Sequence, residues 1–284
     1  MKIGAHVSAA GGLDKAILRA EEIGAETIQL FGSPPQSWIY KPLSTEQIQA
    51  FKDRFKSANI APAFLHGVYL INLASQSPEN LKKSTDSLIS YLSLSSQIGA
   101  SGVIFHVGSH KGTGFDQMLK QIVSSISFVL ENTPEDAWLI IENNAGMGHH
   151  VGASFQEIGK IMEMVGNDRV KVCLDTAHTF AAGYIVTTKE GFEDTMSEFD
   201  REVGFANLVA VHANDSKTPF RSGVDRHENI GQGHIGMKGF EVILSHPAFK
   251  EVPFLLEVPG FNGKGPDKEN VDILKSLRQQ CEAN

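Results

Sequence analysis

Short apolar segments alternate with amphipathic helical patterns along the whole chain, and this alternation constrains the fold most. Eight such segments occur, the first at residues 2–6 and the last at 253–257. Each is apolar at consecutive positions, which is typical of parallel strands buried on both faces. Eight strand–helix units in 284 residues match the length of a (β/α)8 barrel. The sequence therefore predicts an α/β TIM barrel as a single domain over residues 1–284.

The boundaries of these units follow from the apolar periodicity and from capping residues. The stretch Ser44-Thr-Glu-Gln47 is a capping box, which predicts a helix beginning there. A doubly wound open sheet is the structural alternative, but the glycine pair after the first segment does not match the phosphate-binding turn of that fold. The expected strands are 2–6, 27–31, 61–66, 102–106, 138–142, 170–175, 208–212 and 253–257. The other expected helices are 13–23, 78–98, 115–130, 154–164, 190–203, 238–244 and 268–280.

Ionisable residues stand at the ends of nearly all the predicted strands. In a TIM barrel the carboxyl ends of all strands open at one mouth, where active sites lie. Unpaired charges buried together there would cost several kcal/mol each, and converging carboxylates would take up protons instead. Bound divalent cations remove that cost. Seven of the eight strands end in such a residue: His6, His66, His106, Glu142, Asp175, His212 and Glu257.

Three further candidate ligands lie in loops. His178 follows Asp175 by three residues, and Asp225 and His227 are one residue apart, which places their side chains on the same side of an extended backbone. Nine ligands are too many for one ion, so we expect three ions, with zinc favoured by the mixture of imidazole and carboxylate and manganese or iron as alternatives. We expect His6 to orient a ligand instead of binding metal. The candidate ligands are His66, His106, Glu142, Asp175, His178, His212, Asp225, His227 and Glu257.

Charge and composition limit which partners we expect the protein to bind and in which compartment we expect it to work. The formal charge of −8 argues against a polyanionic partner, but three divalent ions would bring the sum to about −2 and place positive charge at the mouth. Two cysteines imply no disulfide framework. The N-terminus has no signal-type apolar core, and no apolar run is long enough to span a membrane. We therefore expect a cytoplasmic protein that does not enter a membrane.

Four long motifs contain or adjoin these candidate ligands: His6-Val-Ser-Ala-Ala-Gly-Gly12, Leu174-Asp-Thr-Ala-His-Thr-Phe-Ala-Ala-Gly-Tyr184, His212-Ala-Asn-Asp-Ser-Lys217 and Asp225-Arg-His-Glu-Asn-Ile-Gly-Gln-Gly233. They closely resemble the endonuclease IV (deoxyribonuclease IV) family of abasic-site repair enzymes, AP endonuclease family 2. The resemblance extends from His6 to Glu257. It implies a zinc-dependent endonuclease that hydrolyses the phosphodiester 5′ to an abasic site in double-stranded DNA, leaving a 3′-hydroxyl and a 5′-deoxyribose phosphate.

The resemblance also implies roles for individual residues. Glu142 would be the catalytic residue, because it would bridge two of three zinc ions in a monomeric enzyme. The implied ligand sets are His66, His106 and Glu142 for the first ion, Glu142, Asp175, His212 and Glu257 for the second, and His178, Asp225 and His227 for the third.

The implied DNA contacts lie in three loops. Tyr69 and Leu70 match the family's wedge residues, with simple loop packing as the alternative. Arg226 is a candidate phosphate contact. Gln36 stands where members commonly carry an arginine that reaches into the duplex, so it can hydrogen-bond but supplies no charge. Ala177 replaces a cysteine found in many members, and we expect little effect from that change.

Two other functions are compatible with parts of this pattern. A sugar isomerase or epimerase uses the same barrel and a metal site at the same mouth, but it needs fewer ions, held mainly by carboxylates. A protein that only binds damaged DNA would not require residues that activate water. The five imidazoles and the Asp225–His227 pair favour the nuclease.

Overall fold

The computed structural model describes residues 1–283, and a closed barrel of eight parallel strands forms its centre. The barrel strands are β1 (Ile3–His6), β2 (Ile28–Phe31), β3 (Ala63–His66), β4 (Gly102–Phe105), β5 (Trp138–Glu142), β6 (Val170–Asp175), β7 (Leu208–His212) and β10 (Phe254–Leu256). They are hydrogen-bonded in chain order, and β10 closes the barrel between β7 and β1. A separate antiparallel hairpin pairs β8 (Asp215–Ser216) with β9 (His227–Glu228). The predicted TIM barrel is confirmed.

Helices surround the barrel and cover the outer faces of its strands. They are α1 (Leu13–Glu22), α2 (Thr45–Ser57), α3 (Pro78–Ile98), α4 (Phe115–Glu131), α5 (Phe155–Val165), α6 (Thr176–Ala182), α7 (Lys189–Glu202), α8 (Gly236–Ser245) and α9 (Lys268–Ala283). The predicted capping box at Ser44 is present: its side chain accepts from the Gln47 backbone, and the Gln47 side chain accepts from the Ser44 backbone. Within residues 1–283, none of these helices combines the length and apolarity needed to cross a membrane.

The sequence did not predict α6 or the β8–β9 hairpin. Both are short, and α6 begins directly after β6 without a loop. Asp175 serves as the last residue of β6 and as the N-cap of α6, where its carboxylate accepts a hydrogen bond of 2.7 Å from the His178 backbone. Such a cap satisfies one of the free N–H groups of the first turn. The same turn brings His178 to the barrel mouth beside Asp175.

The pleat of the strands explains why ionisable side chains meet at the mouth. Six buried residues fill the interior of the barrel: Phe64, Ile104, Ile140, Cys173, Ala210 and Leu255. Side chains alternate between the two faces of a strand, so a residue two positions later points into the same interior, one layer higher. At the end of each of these six strands, or one residue beyond it, that next inward residue is His66, His106, Glu142, Asp175, His212 or Glu257. An apolar plug thus supports a polar layer directly above it.

Candidate metal centre at the barrel mouth

Glu142 lies at the middle of this polar layer. It ends β5 and is 1% exposed. Its Oε2 lies 3.2 Å from Nε2 of His66 and 3.3 Å from Nε2 of His106. Its Oε1 lies 2.9 Å from Nδ1 of His212 and 3.3 Å from Nδ1 of His178. One carboxylate is therefore surrounded by four imidazoles that come from different parts of the chain.

Ligand-type atoms cluster into three adjoining groups, each with atoms within 4.8 Å of one another. Glu142 belongs to the first and second groups, and Asp175 belongs to the second and third. Three buried clusters that share members in this way fit a site for several metal ions. The groups are His66, His106 and Glu142; Glu142, Asp175, His212 and Glu257; and Asp175, His178 and His227.

The third group differs from the set that the family resemblance implied, because Asp175 takes the place expected for Asp225. Asp225 is nevertheless close: its Oδ1 lies 3.2 Å from Nε2 of both His178 and His227. Its side chain is 46% exposed, so it approaches the two imidazoles from the solvent side. Asp225 precedes β9 instead of lying within it, yet its carboxylate and the His227 ring still meet.

Two buried nitrogen atoms test whether a cation fits this third group. The Nε2 atoms of His178 and His227 are buried, and neither has a hydrogen-bond partner of acceptable geometry among residues 1–283. A buried polar atom without a partner costs about 1–3 kcal/mol. A cation between the two rings and Asp225 would satisfy both atoms, so the donor set fits a metal ion here.

Hydrogen bonds at one nitrogen leave the other nitrogen of most rings free for a cation. Such a bond fixes the tautomer and orientation of an imidazole that ligates metal. Four of the five candidate imidazoles donate such a bond to an oxygen: His66 Nδ1 to the Gly67 carbonyl (2.7 Å), His178 Nδ1 to the Asn143 carbonyl (3.0 Å), His212 Nε2 to Oε1 of Gln29 (2.8 Å) and His227 Nδ1 to the Glu257 carbonyl (3.3 Å). The fifth, His106, has its Nδ1 3.2 Å from the amide nitrogen of Asn144.

The charges of the cluster balance one another through shifted pKa values. Burial disfavours the charged form of Glu142, but the neighbouring imidazoles, His106 foremost, hold its pKa well below the ordinary value. Burial likewise disfavours a charged His178, but nearby carboxylates, Asp175 foremost, raise its pKa well above the ordinary value. The positive charge of protonated imidazoles thus compensates the negative charge of the carboxylates. Metal ions that bind here must displace those protons, so metal affinity increases with pH.

The residues predicted to contact DNA lie on loops around the same mouth. A cavity of about 340 Å³ opens over the cluster, and Tyr69 and Arg226 are among its lining residues. Tyr69 is 59% exposed, and its backbone N–H donates to the Pro35 carbonyl (2.9 Å), which places the exposed Gln36 on a neighbouring loop. Leu70 is partly buried and packs against the core. Their DNA-binding roles stay predictions.

Gln29 is a site residue that the sequence reasoning missed. The predicted second strand ends in Phe31 and is the only predicted strand without an ionisable residue at its end. Two residues earlier, Gln29 is fully buried and hydrogen-bonds to His212, Glu257 and His6. A polar residue within an otherwise apolar strand is the sequence signal that could have identified it. In the structure, the β1–β2 register pairs Gln29 with His6.

Comparison with known proteins identifies the family. The family model described as "Xylose isomerase-like TIM barrel" matches residues 17–280. The "Probable endonuclease 4" of Halothermothrix orenii is 39% identical over 276 residues, which cover 97% of this chain and 99% of that protein. The crystal structure of endonuclease IV from Thermus thermophilus matches with a TM-score of 0.87 and 30% identity, over 99% of this chain and 100% of that one.

The barrel itself is shared more widely. The crystal structure of a D-tagatose 3-epimerase-like protein has a TM-score of 0.78 but only 15% identity, over 100% of this chain and 99% of that one. At that identity the likeness shows the fold alone, because one barrel supports many chemistries. The two full-length matches at 39% and 30% identity are to an endonuclease 4 and an endonuclease IV. The resemblance predicted from the motifs is therefore confirmed, and the chain belongs to the endonuclease IV family.

Proposed function

We propose that this endonuclease IV family member is a zinc-dependent AP endonuclease of base excision repair. It hydrolyses the phosphodiester 5′ to an abasic site in double-stranded DNA, leaving a 3′-hydroxyl and a 5′-deoxyribose phosphate, as a monomeric cytoplasmic enzyme. The observation that carries the proposal is the set of three adjoining groups of residues that could hold metal ions, linked by Glu142 and Asp175. A protein that only binds DNA has no use for such a set.

The residues that would hold three zinc ions are those of the three groups together with Asp225. Imidazole and carboxylate ligands suit zinc, and manganese or iron are the alternatives. When bound, divalent ions lower the pKa of water toward about 7 and offset the charge on a phosphate. Glu142 holds the first and second groups together, and Asp175 holds the second and third. Both residues end barrel strands, so the spacing of the groups is set by a rigid framework.

The cavity over the cluster supports recognition of a nucleotide without a base. An abasic nucleotide is extruded from the duplex at a lower cost than a paired one. The opening places Tyr69 beside the metal-type residues, and the Tyr69 ring packs edge-on against Phe31 at a centroid distance of 5.4 Å. A braced, exposed aromatic ring can fill the gap in the stack. Arg226 is exposed at the same opening and can contact a phosphate.

A duplex that carries one tetrahydrofuran abasic analogue tests the proposal. We expect the zinc-loaded protein to cut this duplex once, 5′ to the analogue, and to leave the matched intact duplex uncut. Gel analysis of both labelled strands measures position and end groups. Retention of the duplex without cleavage would instead support a damage-binding protein. Epimerisation of a ketose without any nick would support a sugar epimerase.

Gln36 offers a prediction about DNA affinity. Gln36→Arg adds a positive charge on an exposed loop beside Tyr69, so we expect tighter binding to the tetrahydrofuran duplex and a steeper salt dependence, by roughly one phosphate contact. Fluorescence anisotropy from low to physiological salt measures both. Gln279→Arg, exposed near the C-terminal end of α9, is the control for a general gain of charge. If Gln36→Arg and the control behave alike, the Gln36 loop does not meet the duplex.

A further inference from the structure

We propose that Gln29 is a positioning residue of the metal centre: its side-chain amide selects the His212 nitrogen and the Glu257 oxygen that face the cations. The inference rests on the metal centre of the proposed function and assigns a role to a neutral residue that binds no metal itself. Gln29 lies in β2 and is 0% exposed. It is separated by 183 residues from His212 and by 228 from Glu257.

Every polar group of the Gln29 amide has a partner in the site. Its Oε1 lies 2.8 Å from Nε2 of His212. Its Nε2 lies 2.6 Å from Oε1 of Glu257 and 2.8 Å from Nδ1 of His6. An amide has two N–H donors and one carbonyl acceptor, so this arrangement uses both donors and the acceptor. A rotated amide would direct an N–H group toward His212 and leave Glu257 without a donor.

The amide oxygen determines the tautomer of His212. Because a carbonyl oxygen only accepts, His212 must carry a proton on Nε2, which leaves the lone pair on Nδ1 once a metal is bound. Nδ1 lies 3.3 Å from Oε2 of Glu257 and 4.0 Å from Oδ2 of Asp175, inside the second group. The opposite tautomer would place a proton where the cation belongs. Gln29 therefore favours the metal-binding form of His212.

The amide nitrogen orients Glu257 in the same way. Oε1 of Glu257 receives the Gln29 N–H group and lies 2.9 Å from Nδ1 of His6, while Oε2 faces His212 and the second group. One oxygen is thus held by a neutral amide donor and the other remains for a cation. Such outer contacts on ligands typically change metal affinity by about 10–100-fold.

The barrel geometry accounts for the position of Gln29. The β1–β2 register places Gln29 beside His6, and the β1–β10 register places Ala5 beside Leu256, one residue before Glu257. The three side chains therefore lie at one level of the mouth. An apolar side chain would avoid the cost of burying an amide here. The hydrogen bonds that residues 1–283 offer this amide all involve the site, which ties its presence to the site.

Gln29→Met tests the inference, because methionine has a similar volume and no amide. We expect zinc affinity to fall by about 10–100-fold, measured by competition between the protein and a fluorescent zinc chelator. Thr27→Val is the matched control: Thr27 is also buried, but its hydroxyl donates to the Pro62 carbonyl (2.7 Å). That variant is expected to lose some stability and to retain wild-type zinc affinity. Equal zinc affinity of Gln29→Met and wild type would overturn the inference.

Nitrogen NMR of the zinc-loaded protein measures proton exchange on His212, which a loss of packing alone would not change. In wild type we expect a slowly exchanging proton on Nε2 of His212, and in Gln29→Met we expect its exchange to accelerate. Gln29→Glu keeps an acceptor for His212, so that variant retains the slow proton while it repels Glu257 and binds zinc more weakly. Should Gln29→Met not fold, a fast-exchanging proton in Gln29→Glu would refute the inference. Wild type that binds no zinc would refute the proposed function instead.

Discussion

Glu142→Gln is expected to slow cleavage of an abasic-site analogue by at least about a hundredfold while the barrel stays folded. Glutamine preserves the shape of the side chain but replaces an anionic oxygen with an NH2 group. Glu142 faces four imidazoles and belongs to two of the three groups, so one substitution weakens both. Single-turnover cleavage of the tetrahydrofuran duplex, with circular dichroism on the same samples, measures the effect.

Glu228→Gln is the matched control for this experiment. Glu228 is in β9, next to His227, but its carboxylate accepts from the Asn229 backbone (3.0 Å) and lies 3.7 Å from the Lys217 ammonium, outside the three groups. We expect it to cleave at close to the wild-type rate. Near-normal nicking by Glu142→Gln would refute the catalytic role of Glu142.

We expect the second large effect when the metal ions are removed. The purified protein should contain about three zinc ions per chain, and a strong chelator should abolish cleavage and lower the Tm by at least about 5 °C. A single site occupied at a hundredfold excess over its Kd contributes about 2.7 kcal/mol. In a chain of this size, each kcal/mol shifts the Tm by roughly 2–4 °C. Without the ions, the carboxylates keep only imidazole protons as compensation.

Plasma mass spectrometry and differential scanning calorimetry measure these two quantities. Zinc added after chelation should restore both cleavage and the Tm, whereas the same chelator loaded with zinc beforehand should have no effect. One ion per chain, or a Tm that does not respond to the chelator, would contradict a centre built from three adjoining groups. It would favour the simpler site of a sugar isomerase on the same barrel.

The eight strands and most helices could be predicted because their patterns are local. A parallel strand buried on both faces is apolar at every position, and the residue that follows the apolar run stands at the mouth. The strand ends at Glu142, Asp175 and His212 were predicted without error. The short elements α6 and β8–β9 were missed, because two to seven residues are too few to show a period.

The sequence by itself determined the barrel and the family and predicted nine metal ligands, since these depend on periodicity and on motifs within short stretches. Only the tertiary structure decided which of them lie together, as the third group shows: Asp175 lies close to His178 and His227, while Asp225 contacts both from the solvent side. It also decided the role of Gln29, a neutral residue without motif or charge. Its partners come from strands that are distant in sequence, and they meet only because the barrel closes.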